Sequence, residues 1–277
     1  MGGRALPTLF GASLVACSLG GDWGAFSAGE KGLTEDGGGV ADSGASDADA
    51  SSPLGETGAP SDPYGDEVRK DGPVAWYRFE DDLGGASVTL TDSIGQRNAA
   101  VDGPISSVPG VSGRAVSLGG GTSLVVGDEF DFAGMVPFAL ELWVQTNVSQ
   151  GENQHLVVKR ASAGELLGYI AYLAQDRTVH FETWGAQMSA WTESPIATGY
   201  THIVVSVSYA SGRGNATLWV DGNRAPHGGF DNTSALANTS VPLVFGEHLR
   251  GALDEIAIYD KALPEERVLA HYRAGRP

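Results

Sequence analysis

Residues 138–145 read Phe-Ala-Leu-Glu-Leu-Trp-Val-Gln, with Phe138, Leu140, Leu142 and Val144 on one side and Glu141 and Trp143 on the other. A repeat of two is the mark of a strand with one side against a core. The same alternation opens the patterned part of the chain at Pro73–Phe79, where Val74, Trp76 and Arg78 oppose Ala75, Tyr77 and Phe79. Further short strands are expected at 87–92, 114–118, 123–126, 155–160, 169–174, 178–184, 200–209 and 243–245. Asp221-Gly222, inside 216–225, suits the two-residue turn of a hairpin, whose central positions favour Asn, Asp and Gly.

The last strand is expected at Gly251–Tyr259, with Leu253, Glu255, Ala257 and Tyr259 on one side and Ala252, Asp254, Ile256 and Ile258 on the other. Apolar residues on both sides place it inside a sheet. A short helix follows, with Pro264 at its first position, Glu265 and Glu266 complementing the dipole, and Leu263, Val268, Leu269 and Tyr272 forming its apolar stripe. Many short strands at even spacing predict an all-β fold: a two-sheet antiparallel jelly-roll sandwich over 72–277 with one short C-terminal helix.

Residues 1–71 lack this pattern. Arg4 and the mildly apolar run Ala5–Ala16 have the size and small-residue ending of a signal peptide over 1–16, and the run is too short for a bilayer-spanning helix. Leu14-Val15-Ala16-Cys17 resembles the lipobox of bacterial lipoproteins, in which the cysteine carries the lipid. That resemblance implies lipid attachment at Cys17 and a place in the cell envelope. Ser18, where an Asp often marks retention at the inner membrane, implies the outer membrane or cell surface. Residues 17–71 are rich in Gly, Ala, Ser, Asp and Glu, with too few apolar residues to offset the entropy of ordering, so they are expected to be a disordered linker.

Charge sharpens this division. The formal net charge is −17, and residues 18–71 carry twelve Asp/Glu against three Lys/Arg. An acidic chain without clustered Lys/Arg is no partner for nucleic acid. Cys17 is the single cysteine, which excludes an internal disulfide and any multi-cysteine metal site.

The order of Trp76-Tyr77-Arg78-Phe79-Glu80-Asp81, Asp92-Ser93-Ile94-Gly95, Gly113–Leu118, Phe138–Trp143, Tyr200–Ser206, Leu218–Gly222, Gly251–Tyr259 and Ala262–Arg267 resembles the LamG-like jelly-roll branch of the concanavalin A-like lectin/glucanase superfamily, over Gly72–Gly275. Thr201 and Pro264 depart from its usual residues. The resemblance implies a calcium ion where the first and last strands meet, with Glu80, Asp92 and Asp254 as its ligands. The plainer alternative is that these are solvated loop acids, one of them capping a turn.

A sugar site needs aromatic rings flanked by hydrogen-bonding groups. Tyr172, His180, Trp184 and Trp191 are the candidates for ligand binding, with core packing as the alternative. Glucanases of the superfamily carry Glu-x-Asp-x-x-Glu on one strand, and the nearest match, Glu129-Phe130-Asp131-Phe132-Ala133-Gly134, lacks the second glutamate. No nucleophile elbow, His-Glu-x-x-His zinc motif or phosphate loop is present. The expectation is a non-catalytic carbohydrate-binding or adhesion domain on a surface lipoprotein, with a polysaccharide or glycan, or an envelope protein, as partner. The alternatives are a protein-interaction or envelope-structural domain and a divergent glycoside hydrolase.

Overall fold

The computed structural model describes residues 61–84, 88–146, 151–161, 167–185, 187–228 and 235–276. Cys17, the expected signal segment and residues 17–60 of the expected linker lie outside them. In chain order the elements are α1 (Pro63–Asp71), β1 (Ala75–Tyr77), β2 (Thr89–Leu90), β3 (Ala99–Asp102), β4 (Ile105–Pro109), β5 (Arg114–Gly119), β6 (Ser123–Gly127), β7 (Phe138–Gln145) and β8 (Gln154–Arg160). They continue with β9 (Gly168–Leu173), β10 (Val179–Trp184), β11 (Ser189–Trp191), β12 (Thr201–Ala210), β13 (Arg213–Val220), β14 (Asn223–Arg224), β15 (His227–Gly228), β16 (Leu243–Phe245), β17 (Arg250–Tyr259) and α2 (Glu265–Ala274).

The strands form two antiparallel sheets of a jelly-roll sandwich. The first runs β14-β13-β12-β7-β17-β5-β4, with β1 also on β17. The second runs β15-β11-β10-β9-β8-β16-β6-β3-β2. Between them lies the main core, built from the inward half of each alternation: Phe138, Leu140, Leu142 and Val144 of β7, Tyr77 of β1, Phe181 of β10 and Phe245 of β16. Asp221 and Gly222, with φ of 51° and 72°, turn β13 into β14 as their sequence predicts.

A second core lies on the outer side of the first sheet. Trp76, Trp143, Trp219 and Tyr259 pack there under Tyr64 and Val68 of α1 and Leu263 and Val268 at α2. The helix α1 corrects the expected boundary at residue 71, since residues 63–71 belong to the folded domain. Asp62 caps it by accepting from Gly65 N at 2.9 Å, Pro63 opens it, and Gly72 at φ 55° ends it in the left-handed region. Tyr64 and Val68, four apart, give it one buried stripe. At the other end Pro264 is the extended residue before α2 and not its first helical residue.

The closing strand departs from strict alternation. Its register on β7 shifts between Asp254 and Ala257, and Glu255 sits at φ 51°. This β-bulge reverses the sides. Leu253 faces the main core together with Ile256 and Ile258, while Ala257 and Tyr259 face the helices.

Candidate functional site

The junction of β1 and β17 is where the calcium site was expected, and the structure does not assemble it. Asp92 Oδ1 accepts from Trp76 N at 2.9 Å and Ile94 N at 3.1 Å, and Oδ2 accepts from Arg97 N at 3.3 Å. It closes a turn. Glu80 accepts from Arg114 N at 2.9 Å, and Asp254 Oδ2 from Val111 N at 2.7 Å. Glu80 and Asp254 are thus held by one turn, Gly110–Arg114, whereas Asp92 is held by residues 76, 94 and 97. Among the described residues no group of three or more His, Cys, Asp or Glu side chains is placed to hold a metal.

The cation at this seam is Arg78. It bonds Glu255 Oε1 from Nε and Nη2 and lies 2.9 Å from Asp62. Burial, reinforced by Glu255, pushes the Asp254 carboxyl up to about 8. Burial also lifts Glu255 to about 7, against the pull of Arg78. Arg78, with these partners, braces the seam that Glu80 and Asp254 flank.

The four candidate ligand residues share one face of the second sheet: Tyr172, His180 and Trp191 are in register, and Trp184 lies four places along β10 from His180. β10 buries Val179, Phe181 and Thr183 and leaves His180, Glu182 and Trp184 partly exposed. Neither helix covers this side, since both pack on the first sheet. The register aligns one ring per strand: His155 of β8 with Tyr172 of β9, Tyr172 with His180 of β10, His180 with Trp191 of β11, and Trp191 with His227 of β15. Tyr172 and His180 stack at 5.1 Å and 16°, and Trp191 and His227 at 4.8 Å and 11°. Each pair of rings stands side by side on the sheet. Trp184 lies two places along β10 from Glu182, under the Arg160 guanidinium at 4.6 Å, because Gly168 between them has no side chain.

The polar groups of this row are fixed by neighbours. Tyr172 OH donates to Glu182 at 2.7 Å. Thr178 gives its single hydroxyl proton to Asp176 at 2.7 Å, so it accepts from His180 Nε2–H at 2.9 Å. That tautomer leaves His180 Nδ1 as an acceptor. Burial holds the His180 imidazole below its ordinary pKa, against Glu182 and Asp176. His155 pairs with Glu247 at 2.6 Å and His227 with Glu193 at 2.5 Å. His155 and His227 were not anticipated from sequence, because one adjoins a β-bulge and the other sits in a strand of two residues.

A third cluster is buried and charged. Glu141 of β7 is fully buried and accepts from Tyr64 OH (2.9 Å) and Tyr259 OH (2.7 Å), with His202 Nε2 at 2.8 Å and His271 Nδ1 at 2.9 Å. His271 Nε2 reaches Asp71 at 2.8 Å, and Arg267 holds Asp71 and Glu67 at 2.7 Å each. Burial alone would raise Glu141, but His271 and His202 bring its carboxyl well below the usual range. Burial likewise opposes protonation of His271, and Glu141 and Asp71 overcome it and raise its pKa. This chain ties both helices to the sheet.

The broken glucanase motif is not on a strand. Phe130 and Phe132 have φ of 61° and 48°, Glu129 pairs with Arg97 at 3.1 Å, and Asp131 lies 3.3 Å from the buried Lys159. Both acids are engaged in ion pairs.

Residues 118–269, a little over half of the chain, match the Laminin_G_3 family of the concanavalin A-like lectin/glucanases superfamily, and the chain belongs to that family. No curated protein matches it. Among solved structures it is similar to domain 4 of AbnA, a GH43 extracellular arabinanase from Geobacillus stearothermophilus, in complex with arabinotriose: 18% identity, TM-score 0.52, covering 72% of this chain and 98% of that one. It is also similar to the binding domain of Botulinum neurotoxin DC in complex with SialylT, at 12% identity and TM-score 0.56, covering 76% of this chain and 52% of that one. A third is the Botulinum neurotoxin serotype D ligand-binding domain in complex with N-acetylneuraminic acid, at 10% identity and TM-score 0.54, covering 75% and 52%. The chain spans about half the length of the neurotoxin domains. These likenesses are likenesses of fold.

Proposed function

We propose that this domain binds carbohydrate, without catalysis, on the outer face of β8, β9, β10, β11 and β15. The observation that carries the reading is the row His155–Tyr172–His180–Trp191–His227, one ring per strand on a face that neither helix covers. Rings beside oriented carboxylates, an imidazole acceptor and the Arg160 guanidinium supply both apolar contact and hydroxyl recognition. That arabinotriose and N-acetylneuraminic acid accompany proteins of similar fold accords with a glycan partner. A non-catalytic role is supported by the engagement of Glu129 and Asp131 in ion pairs. We further propose that a lipid on Cys17 holds the protein at a bacterial envelope, a reading supported by Leu14-Val15-Ala16-Cys17. Among the described residues no helix is long and apolar enough to cross a membrane.

The test is saturable binding to a panel of polysaccharides, with Tyr172→Ala and Trp191→Ala as variants. The reading expects at least one ligand whose affinity falls about ten-fold or more in each variant, while thermal unfolding is little changed. Silence across the panel, or binding indifferent to both variants, overturns it. For the anchor, Cys17→Ser is expected to move the protein from the membrane fraction to the soluble one. Retention in the membrane removes the lipid from the account.

A further inference from the structure

We infer that a second binding site, for a sugar ring bearing a carboxylate, occupies the cavity of about 390 Å³ where the end of α2 meets the hairpin turn at Asp221 and the loop at Gly110. It lies on the helix-covered side of the domain and does not depend on the reading of the open face. Its volume is near the lower end of the roughly 300–1,000 Å³ typical of small-molecule sites, which suits a single ring.

The walls match that ligand group by group. Trp143, Tyr200 and Tyr272 supply aromatic surface, and Trp143 stacks on Tyr272 at 6.2 Å and 22°. The Trp143 indole is 3% exposed and its Nε1–H has no protein acceptor. Trp219 also buries an unpaired indole nitrogen, but it does not line this cavity.

Two opposite charges complete the set. Arg276 is exposed, and its guanidinium lies 5.3 Å over the Tyr272 ring, where it can pair with a carboxylate in its planar fork. Asp221 is held by accepting from His202 N at 2.9 Å and can accept from sugar hydroxyls. Tyr200 OH donates to Pro109 O at 2.8 Å, so its oxygen is left to accept. Gly275 lets the helix end close on the indole, since a Cβ there would fall 2.5 Å from Trp143 Cζ2. A neutral sugar would meet the same walls and leave Arg276 without a partner.

The full chain with ¹⁵N-labelled tryptophan gives six indole signals to follow, and Trp143→Phe identifies the relevant one. Titration with glucuronate, galacturonate or N-acetylneuraminate is expected to shift the Trp143 signal saturably. Glucose and galactose should need about ten-fold more, and acetate should leave the signal in place. Arg276→Met, on an exposed residue, should weaken the acidic sugars about ten-fold without moving the unfolding midpoint, and Trp191→Ala should leave the response intact. No saturable shift with any acidic sugar overturns the inference, as does an equal response to acetate or indifference to Arg276→Met. Shifts confined to Trp184 and Trp191 overturn it too, while favouring the open face. Should Trp143→Phe not fold, the Arg276→Met comparison decides alone.

Discussion

Arg78 and Glu255, 177 positions apart in the chain, meet at the seam of β1 and β17, where Nε and Nη2 of the arginine both donate to the single oxygen Oε1, at 3.1 and 3.0 Å. A guanidinium thus braces the first strand to the last. The thermal midpoint is therefore expected to be the same with calcium and with chelator. Above pH 7, Arg78→Met should cost about 3 kcal/mol in denaturant unfolding, because it strands the buried Glu255 carboxylate. A midpoint that falls on chelation would refute the brace.

The same seam sets a pH dependence. Folded Asp254 keeps its proton to about 8 and Glu255 to about 7, whereas an unfolded carboxylate releases it near 4. Between these values the unfolded chain binds fewer protons, so stability falls as pH rises. His271 acts in the same direction, because its raised affinity contributes below the usual histidine value of about 6.5 and is lost as pH passes its folded value. Glu141 acts oppositely, contributing above about 4.5 and losing that contribution as pH falls through its lowered value. Unfolding from pH 4 to 9 should show a maximum on the weakly acidic side. Asp254→Asn should flatten the alkaline decline and add on the order of 2 kcal/mol at pH 8.

Residues 61–277 and residues 72–277 should differ in stability. Starting at Gly72 removes the buried side chains of Tyr64 and Val68 and the Asp71 carboxylate that faces His271 and Arg267. A loss of about 4 kcal/mol is expected from denaturant midpoints. Equal midpoints would return α1 to the status of a spacer.

Glycan binding on the open face should be flat at pH above the ordinary histidine value of about 6.5. His180 is neutral there, with its proton on Nε2 toward Thr178 and Nδ1 left to accept. Binding should weaken as pH falls through the lowered value of His180, when protonation turns that acceptor into a donor. Constant affinity down to pH 4, measured by titration, would remove His180 from the contact.

Much of the fold was legible because alternation is a local property. β7 reads as it folds, and the Asp221-Gly222 turn was plain. Leu253, Glu255, Ala257 and Tyr259 were grouped wrongly because a bulge leaves no trace in the alternation it interrupts. The helix α1 carried its signals, Asp62-Pro63 at one end and Gly72 at the other, but an acidic surrounding sequence masked a stripe of only Tyr64 and Val68. For the open face, the alternation Val179-His180-Phe181-Glu182-Thr183-Trp184 separated two sets, and only the packing of the helices on the other sheet decides which face they leave uncovered. The acids at Glu80, Asp92 and Asp254 were found, but not their partners, since Arg114 N, Trp76 N and Val111 N are brought to them by tertiary register.

The pairing of α1 with α2 also bears on how the domain carries load. A pull arriving along the chain before Asp62 reaches α1 first, and what resists it is Arg267 on Glu67 and Asp71, His271 on Asp71, and the wedge of Tyr64 against Glu141. These contacts lie across the helix and would be strained together, not opened one after another. If α1 is drawn away, the sandwich between the two sheets keeps its own core, so the first event under tension is the loss of a clasp, with the ring-bearing face still in place.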